Sequence, residues 1–120
     1  MIDEKISPVQ AATEFLLYLI KAWNQSIGSQ NETWEFHRQK VIVTIPASFD
    51  PSARNYSLEA IEKAGIEGVM LLEEPQAAFY DYLYRNPKTM VADLKGVETV
   101  LVIDIGGGTT DFSLISINWS

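Results

Sequence analysis

Three short apolar runs do most to constrain how this chain can fold. They read VIVTI at 41–45, VMLL at 69–72 and VLVI at 100–103. The first two show no alternation of apolar and polar residues, which is typical of strands buried on both faces of a sheet. Because helical segments separate the three runs, the order of elements predicts an α/β fold with parallel pairing.

Capping residues followed by prolines locate the helices between these strands. Ser7 precedes Pro8, and Asp50 precedes Pro51. In each pair the first residue can cap a helix, and the proline suits the first helical turn. Glycine marks two of the helix ends. The predicted helices run from Pro8 to a stop at Gly28, from Pro51 to a stop at Gly65, and from Pro75 to about Asn86.

A glycine-rich turn predicts a β-hairpin after the third run. The sequence DIGGGTTD at 104–111 separates two strand-like segments, 98–104 and 110–117. Strands that a short turn joins pair antiparallel. The predicted sheet is therefore mixed, with parallel core strands, a terminal hairpin and packed helices.

Composition narrows the classes of partner and location. Sixteen acidic and nine basic residues give a net charge of −7, which argues against nucleic-acid and anionic-membrane surfaces. The absence of cysteine excludes disulfides and thiolate metal sites, so folding does not need an oxidising compartment. The longest apolar stretch, 15–20, is far shorter than the roughly 20 residues of a membrane span. We expect a cytoplasmic protein without a membrane partner.

The same glycine turn carries the chemistry. Successive glycines let backbone N–H groups converge on an anion, and Thr109 adds a hydroxyl donor. Asp104 and Asp111 would repel a phosphate unless a divalent cation lay between them. The residues therefore suggest a Mg²⁺-nucleotide site. The alternative is a glycine hairpin with two surface aspartates.

A further carboxylate comes from the end of the second strand. Glu73 and Glu74 stand immediately before Pro75, where a strand passes into a helix. Ligands of open α/β sheets bind at the carboxyl ends of strands, and Asp104 also ends a strand. We expect Glu73 to cap the helix and Glu74 to face the same cleft as Asp104.

Three stretches together resemble the heat-shock protein 70 chaperones of the DnaK type. They are VIVTIPASFDPSARN at 41–55, GVMLLEEPQAAFYDYL at 68–83 and VLVIDIGGGTTDFSLISI at 100–117. They match the family's motifs in kind, order and spacing, and the resemblance covers residues 6–117. It implies a partial actin-like ATPase fold, in which two ribonuclease-H-like lobes enclose a nucleotide.

The resemblance implies a role for each matched residue. The implied cofactors are ATP or ADP with Mg²⁺. The implied partners are unfolded client peptides, a J-domain protein and a nucleotide exchange factor. The catalytic residues would be Glu74 and Asp104, and the metal would be held by Asp104 and Asp111. The phosphate loop would consist of Gly106, Gly107, Gly108 and Thr109. The interdomain switch would involve Pro46 and Arg54.

The chain departs from the family pattern at Glu73, Gln76 and Thr110, which leaves the strength of any ATPase activity open. The family's first phosphate loop and its phosphate-contacting lysine are not found in the sequence. We therefore expect a fragment that is inactive by itself. Residues 1–85 would be the second half of the first lobe, 86–98 a linker, and 99–120 the opening hairpin of the second lobe.

Two further readings remain open at this point. Other actin-like ATPases, either small-molecule kinases and phosphatases or filament-forming proteins, share the glycine loop.

A structural hypothesis follows from the likeness of the two lobes. VLVID is expected to pair in parallel beside VIVTI, giving the strand order 2-1-4-5. In this lobe numbering, strands 4 and 5 are the runs at 41–45 and 69–72, and strands 1 and 2 are the hairpin strands at 99–104 and 110–117. It would do so within one chain as a permuted monomer, or between two chains as a swapped dimer.

Overall fold

The computed structural model describes residues 5–119. The helices are α1 (Pro8–Ser26), α2 (Pro51–Lys63), α3 (Glu74–Arg85) and α4 (Met90–Leu94). The strands are β1 (Ile42–Ile45), β2 (Met70–Glu73), β3 (Thr99–Ile105) and β4 (Thr110–Ser116). Three 3₁₀ turns, Gly28–Gln30, Glu32–Trp34 and Phe36–Arg38, connect α1 to β1.

The chain divides into two compact units. The first comprises the residues up to Val43 together with Phe49–Met70, and the second comprises Thr44–Ser48 and the residues from Leu71 onward. Strands β1 and β2 form a parallel two-stranded sheet, and β3 and β4 form a second, antiparallel sheet. The predicted mixed α/β class is confirmed.

Local capping chemistry produces the predicted helices. The Ser7 hydroxyl accepts a hydrogen bond from the backbone N–H of Gln10 (3.1 Å), and the Asp50 carboxylate accepts one from Ala53 (2.8 Å). These bonds satisfy N–H groups that have no partner inside the helix. Gly65 ends α2 in the left-handed region, at φ +77°. Each predicted helix lies within two residues of its observed bounds.

Gly28 acts differently from the predicted helix stop. α1 ends at Ser26, and Gly28 lies in a 3₁₀ turn without a positive φ. A Cβ at this buried position would stand 3.0 Å from Asn24 Oδ1 and 3.3 Å from Glu35 Cα. Glycine is therefore required because the following segment packs closely on α1, and not because of its backbone angle.

A small core holds the first unit together around the contact of α1 with α2. The Thr13 hydroxyl donates to Val9 O (2.8 Å) and also reaches Ala60 O on α2 (3.4 Å). Ala60, Ile61, Ala64 and Ile66 are buried there. α1 is the longest described helix, and no described helix combines the length and the apolar character needed to cross a membrane.

Aromatic contacts fasten the 3₁₀ segment onto α1. The Trp23 indole N–H donates to Trp34 O (2.7 Å), and the rings of Trp23 and Phe36 meet edge to face with centroids 6.5 Å apart. Asn24 Oδ1 accepts from the Phe36 N–H (2.8 Å). These contacts therefore order the polar segment between α1 and β1, which contains only short 3₁₀ turns.

Strands β1 and β2 are covered less completely than their apolar sequences predict. Ile45 is 3% exposed, whereas Ile42 is 57% exposed and Met70 is 62% exposed. Each strand has only four residues, and side chains alternate between two faces. The prediction that both runs are buried on both faces is therefore wrong for the described residues.

The two strands of the hairpin pair along their whole length. Thr99 lies opposite Ser116, and the register continues without a break to Ile105 opposite Thr110. The predicted hairpin is confirmed, but the predicted pairing of VLVID with VIVTI in one chain is wrong, because β1 and β3 belong to separate sheets. The β3–β4 pairing needs only a four-residue turn to close, whereas pairing of β3 with β1 would have to close a much longer loop at a higher entropy cost.

A short helix interrupts the segment 86–98 that was predicted to be a linker. α4 lies there, and the Tyr82 hydroxyl on α3 donates to Asp93 Oδ2 on α4 (3.0 Å). This hydrogen bond to the Asp93 carboxylate raises the pKa of Tyr82. At the base of the hairpin, the Trp119 indole N–H donates to Val97 O (3.0 Å).

Replacing the cap of α2 tests the capping argument. Asp50→Ala should lower the free energy of unfolding by about 1 kcal/mol, because the Ala53 N–H loses its side-chain acceptor. Urea titration followed by circular dichroism measures this. Asp50→Asn is the matched control, because it keeps an acceptor oxygen and should leave stability nearly unchanged. Equal losses in the two variants would assign the effect to charge.

Candidate functional site

The register of the hairpin brings two carboxylates together. Asp104 near the end of β3 lies directly opposite Asp111 near the start of β4. Directly opposed residues point to the same face of a sheet, so both side chains share one face. Like charges at such positions are destabilising unless a counter-charge relieves them. The side chain of Asp104 has no hydrogen-bond or ion-pair partner among the described residues.

The turn between these aspartates is closed by a single backbone hydrogen bond. Gly106 N–H donates to Thr109 O (2.9 Å), and the Thr109 hydroxyl donates to Asp111 Oδ2 (3.3 Å). Gly106, Gly107 and Gly108 all lack a positive φ. A Cβ at Gly107 or Gly108 would meet no atom within 4 Å. Neither backbone angle nor crowding inside the chain therefore explains these two glycines.

A cavity of about 240 Å³ lies on the carboxylate face of the hairpin, within the second unit. The start of α3 contributes two residues, the segment after β1 contributes three, and the hairpin contributes the others. The lining consists of Pro46, Ala47, Ser48, Glu74, Pro75, Val102, Asp104, Asp111, Phe112 and Ser113.

Local structure explains how Glu74 reaches this cavity. Glu73 occupies the N-cap position of α3, but its side chain makes no capping hydrogen bond, so the predicted capping role is wrong. Glu74 is the first helical residue. Pro75 fixes the first turn of the helix, as its sequence position predicted. A carboxylate there interacts favourably with the positive end of the helix dipole. The side chain therefore stands at the junction of β2 and α3, on the rim of the cavity.

The electrostatic character of the cavity is negative. Three lining residues, Glu74, Asp104 and Asp111, are acidic, and none is Lys, Arg or His. Across residues 5–119, however, no three Asp, Glu, His or Cys side chains are grouped closely enough to hold a metal ion by themselves. A cation bound here would need oxygen ligands from water or from a phosphate. Mg²⁺ commonly completes its shell in this way.

Four residues singled out from the sequence line this one cavity, namely Pro46, Glu74, Asp104 and Asp111. Gly106–Thr109 form the turn that joins the two aspartate-bearing strands. Arg54 lies on α2 in the first unit and is half-buried there.

Sequence reasoning missed Ser48, Val102, Phe112 and Ser113. Strand alternation could have found two of them, because Val102 and Ser113 stand two residues from Asp104 and Asp111 on the same face. The alternation does not find Phe112, whose position belongs to the opposite face. No pattern in the sequence indicated Ser48.

Comparisons with known proteins agree with the arrangement of these motifs. A family model described as "Hsp70 protein" matches residues 1–119. The chain is 33% identical over 110 residues to the chaperone protein HscA of Proteus mirabilis, covering 92% of this chain and 15% of that protein. It is 32% identical over 113 residues to the HscA homolog of Shewanella denitrificans, covering 94% and 16% of the two chains.

A relative with a different name matches at a similar identity. The chaperone protein dnaK of Thalassiosira pseudonana is 32% identical over 116 residues, covering 97% of this chain and 17% of that protein. The chain thus spans about one sixth of the length of these curated relatives. Because the family match extends over nearly every residue, including the hairpin and its aspartates, the chain belongs to the Hsp70 protein family.

Proposed function

We propose that this chain supplies one wall of the Mg-ATP site of an Hsp70-type chaperone ATPase domain. The observation that carries the proposal is the single cavity shared by Glu74, Asp104, Asp111 and Pro46, next to the glycine turn. Chain segments that are far apart in sequence contribute these residues. The family membership supports the chaperone class, and the residue roles rest on the chemistry below.

The glycine turn fits a phosphate. Gly107 and Gly108 have open space where a Cβ would stand, and their backbone angles suit any residue. A phosphate that approached these positions would meet backbone N–H groups without side-chain interference. Glycine at these two positions would then serve to leave room for the bound phosphate, and not to fit the packing of the chain itself. The Thr109 hydroxyl, now donated to Asp111, could supply a further hydrogen bond.

The carboxylates fit a hydrated magnesium ion. When bound, Mg²⁺ neutralises charge on the phosphates and orients them for attack by water. Asp104 and Asp111 would hold the ion through its water molecules, and their mutual repulsion would be relieved by its charge. Glu74 would orient the attacking water by accepting a hydrogen bond. Pro75, the next residue, keeps that carboxylate at the first turn of α3.

The activity of the whole protein follows as part of the same proposal. ATP hydrolysis would gate the binding of unfolded client peptides, with a J-domain protein and a nucleotide exchange factor as partners in the cytoplasm. Pro46 lines the cavity, so a change at the phosphates could be passed to the segment after β1. Arg54 would be the surface partner of Pro46 in that switch. The predicted swapped dimer likewise remains a proposal.

Substituting the carboxylates should separate hydrolysis from binding. In a complete ATPase domain that carries this segment, Asp104→Asn or Glu74→Gln should slow ATP hydrolysis by roughly a hundredfold or more. The affinity for ATP should change much less, because neither side chain is assigned to the adenosine. Single-turnover hydrolysis and nucleotide titration measure the two effects. Weakened binding with unchanged hydrolysis would contradict these roles.

Substituting a turn glycine should separate binding from stability. In the same domain, Gly107→Ala should weaken binding of a fluorescent ADP about tenfold or more, because a Cβ would enter the phosphate's space. The free energy of unfolding should change by less than about 0.5 kcal/mol. Gly96→Ala is the contrasting control, because its φ of +76° should make alanine cost about 1 kcal/mol while binding is kept. Unchanged ADP affinity in Gly107→Ala would show that no phosphate of ADP binds against this turn.

The 120-residue chain by itself should have no appreciable ATPase activity. Its cavity offers three carboxylates and no cationic side chain to a triphosphate, and no described cluster can retain a metal ion unaided. A malachite-green phosphate assay on the purified chain measures this, with Asp104→Asn as the control for contaminating enzymes. Turnover that the substitution abolishes would contradict the expectation.

A further inference from the structure

One face of α3 lies against β3 within the second unit. Helix positions three and four apart share a face, and Pro75, Ala78, Phe79 and Tyr82 have this spacing. Pro75 lines the cavity that also contains Glu74 and the two aspartates. The other three lie around a second cavity together with residues 100–103 of β3. A single stripe of α3 therefore follows β3 from one cavity to the other.

The helix and the strand run in opposite directions along this contact. Glu74 shares the first cavity with Asp104, and Tyr82 shares the second with Val100. The eight residues from Glu74 to Tyr82 rise about 12 Å along a helix. The four residues from Val100 to Asp104 span about 13 Å along a strand. Because these lengths agree, the position of Tyr82 at one end of the contact determines the position of Glu74 at the other.

The connection that follows α3 is ordered by its own hydrogen bonds. The Asn86 backbone N–H donates to Tyr82 O (3.1 Å), and the Asn86 side-chain Nδ2 donates to the same oxygen (2.8 Å). The Met90 N–H then donates to Asn86 O (2.9 Å). Asn86 therefore ends α3 and also begins the turn that leads into α4.

The other end of the connection is joined to the base of the hairpin. The Val97 N–H donates to Leu94 O (2.9 Å), and Gly96 between them has a φ of +76°. The Ile117 N–H donates to Glu98 O (2.8 Å), immediately before β3. Leu94 also lines the cavity between α3 and β3. Hydrogen bonds therefore connect the end of α3, α4 and the hairpin in sequence.

A side-chain contact joins α3 directly to α4. The Tyr82 hydroxyl donates to Asp93 Oδ2 (3.0 Å). The Tyr82 ring is stacked on Phe79, with centroids 6.3 Å apart and planes 9° from parallel. The stacking fixes the ring and the hydrogen bond fixes the hydroxyl. The C-terminal half of α3 is thus held both to β3 and to the connection.

We propose that residues 86–98 form a clasp that keeps α3 aligned along β3, and that Tyr82 and Asp93 are positioning residues for Glu74. The inference rests on the proposed role of Glu74 in hydrolysis. While the clasp is closed, the C-terminal end of α3 stays at the base of the hairpin, so Glu74 stays beside Asp104. Without the hydrogen bond, α3 gains freedom to tilt or slide along β3. The water that Glu74 orients is then misaligned, and small misalignments slow a reaction.

The expected effect on the rate is moderate. The hydrogen bond between Tyr82 and Asp93 is exposed, and the net contribution of such bonds is small. Its loss should therefore slow hydrolysis about three- to tenfold. Neither residue lines the cavity that contains the aspartates, so the affinity for ATP should stay within about twofold of the wild type.

Spin labels measure the alignment of α3 independently of activity. Gln76 on α3 and Ser116 on β4 line one cavity of the second unit, and neither lines the cavity of the aspartates. This segment has no cysteine, so in a complete ATPase domain without other cysteines Gln76→Cys/Ser116→Cys accepts two nitroxide labels. The distribution of distances between the labels should broaden when Asp93→Ala is added. Asp93→Asn is the matched control, because its amide oxygen still accepts from the Tyr82 hydroxyl.

Single-turnover hydrolysis in the same domain without labels measures the consequence for the site. Tyr82→Phe, which keeps the stacked ring, and Asp93→Ala should each show the three- to tenfold loss. The double variant should be no slower than either, because both substitutions break the same bond. Asp93→Asn should stay close to the wild type. Asp81→Ala controls for general weakening of α3, because it removes only the exposed ion pair with Arg85.

The two measurements distinguish failure of the clasp from failure of the proposed function. Unchanged label distances in Asp93→Ala, or additive rate losses in the double variant, would overturn the clasp. Broadened distances with unchanged hydrolysis, in a domain that Glu74→Gln slows, would overturn the positioning role and leave the proposed function intact. A Glu74→Gln variant that hydrolyses at the wild-type rate would instead overturn the role of Glu74, and the positioning role with it.

Discussion

The antiparallel ladder between β3 and β4 is the constraint on which the candidate site depends. Its register sorts the side chains of fourteen paired positions onto two faces of opposite character. One face carries Asp104 and Asp111, and the other carries only apolar side chains, threonines and a serine. Because side chains alternate with a period of two, a slip of one residue on one strand would separate the two aspartates onto different faces. The site therefore exists only in the observed register.

Much of this arrangement could be predicted from local signals. Ser7 and Asp50 cap helices through bonds that span three residues, and the glycine turn brings together strands that adjoin it in sequence. Such features depend on neighbours along the chain, so the sequence contains them directly. The pairing of Asp104 with Asp111 follows from the turn alone once its length is known.

The features that were missed depend on contacts between distant segments. Gly28 was interpreted as a helix stop, but its role is to admit Glu35 beside Asn24. Ile42 and Met70 were expected inside because of their type, yet burial depends on what covers a face, which no run of residues specifies. Ser48 joins the cavity only because the segment after β1 meets the hairpin in the second unit.

The departures from the family pattern fall into different environments. Thr110 pairs with Ile105 on the uncharged face of the hairpin. It is thus turned away from the aspartates, and its replacement leaves the cavity walls as they are. Gln76 instead lines a neighbouring cavity of about 400 Å³ together with Ala47 and Ser113–Ser116. Neither side chain lines the cavity that holds the aspartates, but the cavity beside Gln76 shares Ala47, Pro75 and Ser113 with it.

The distribution of the three tryptophans gives the two units separate optical signals. Trp23 and Trp34 lie in the first unit, where they are joined by a hydrogen bond, and Trp119 donates to Val97 at the base of the hairpin. Indole emission shifts in wavelength when its surroundings change from protein to water. In a chain with phenylalanine at positions 23 and 34, the indole emission would therefore come from Trp119 alone. Its fluorescence would follow the opening of the ladder while circular dichroism followed the helices.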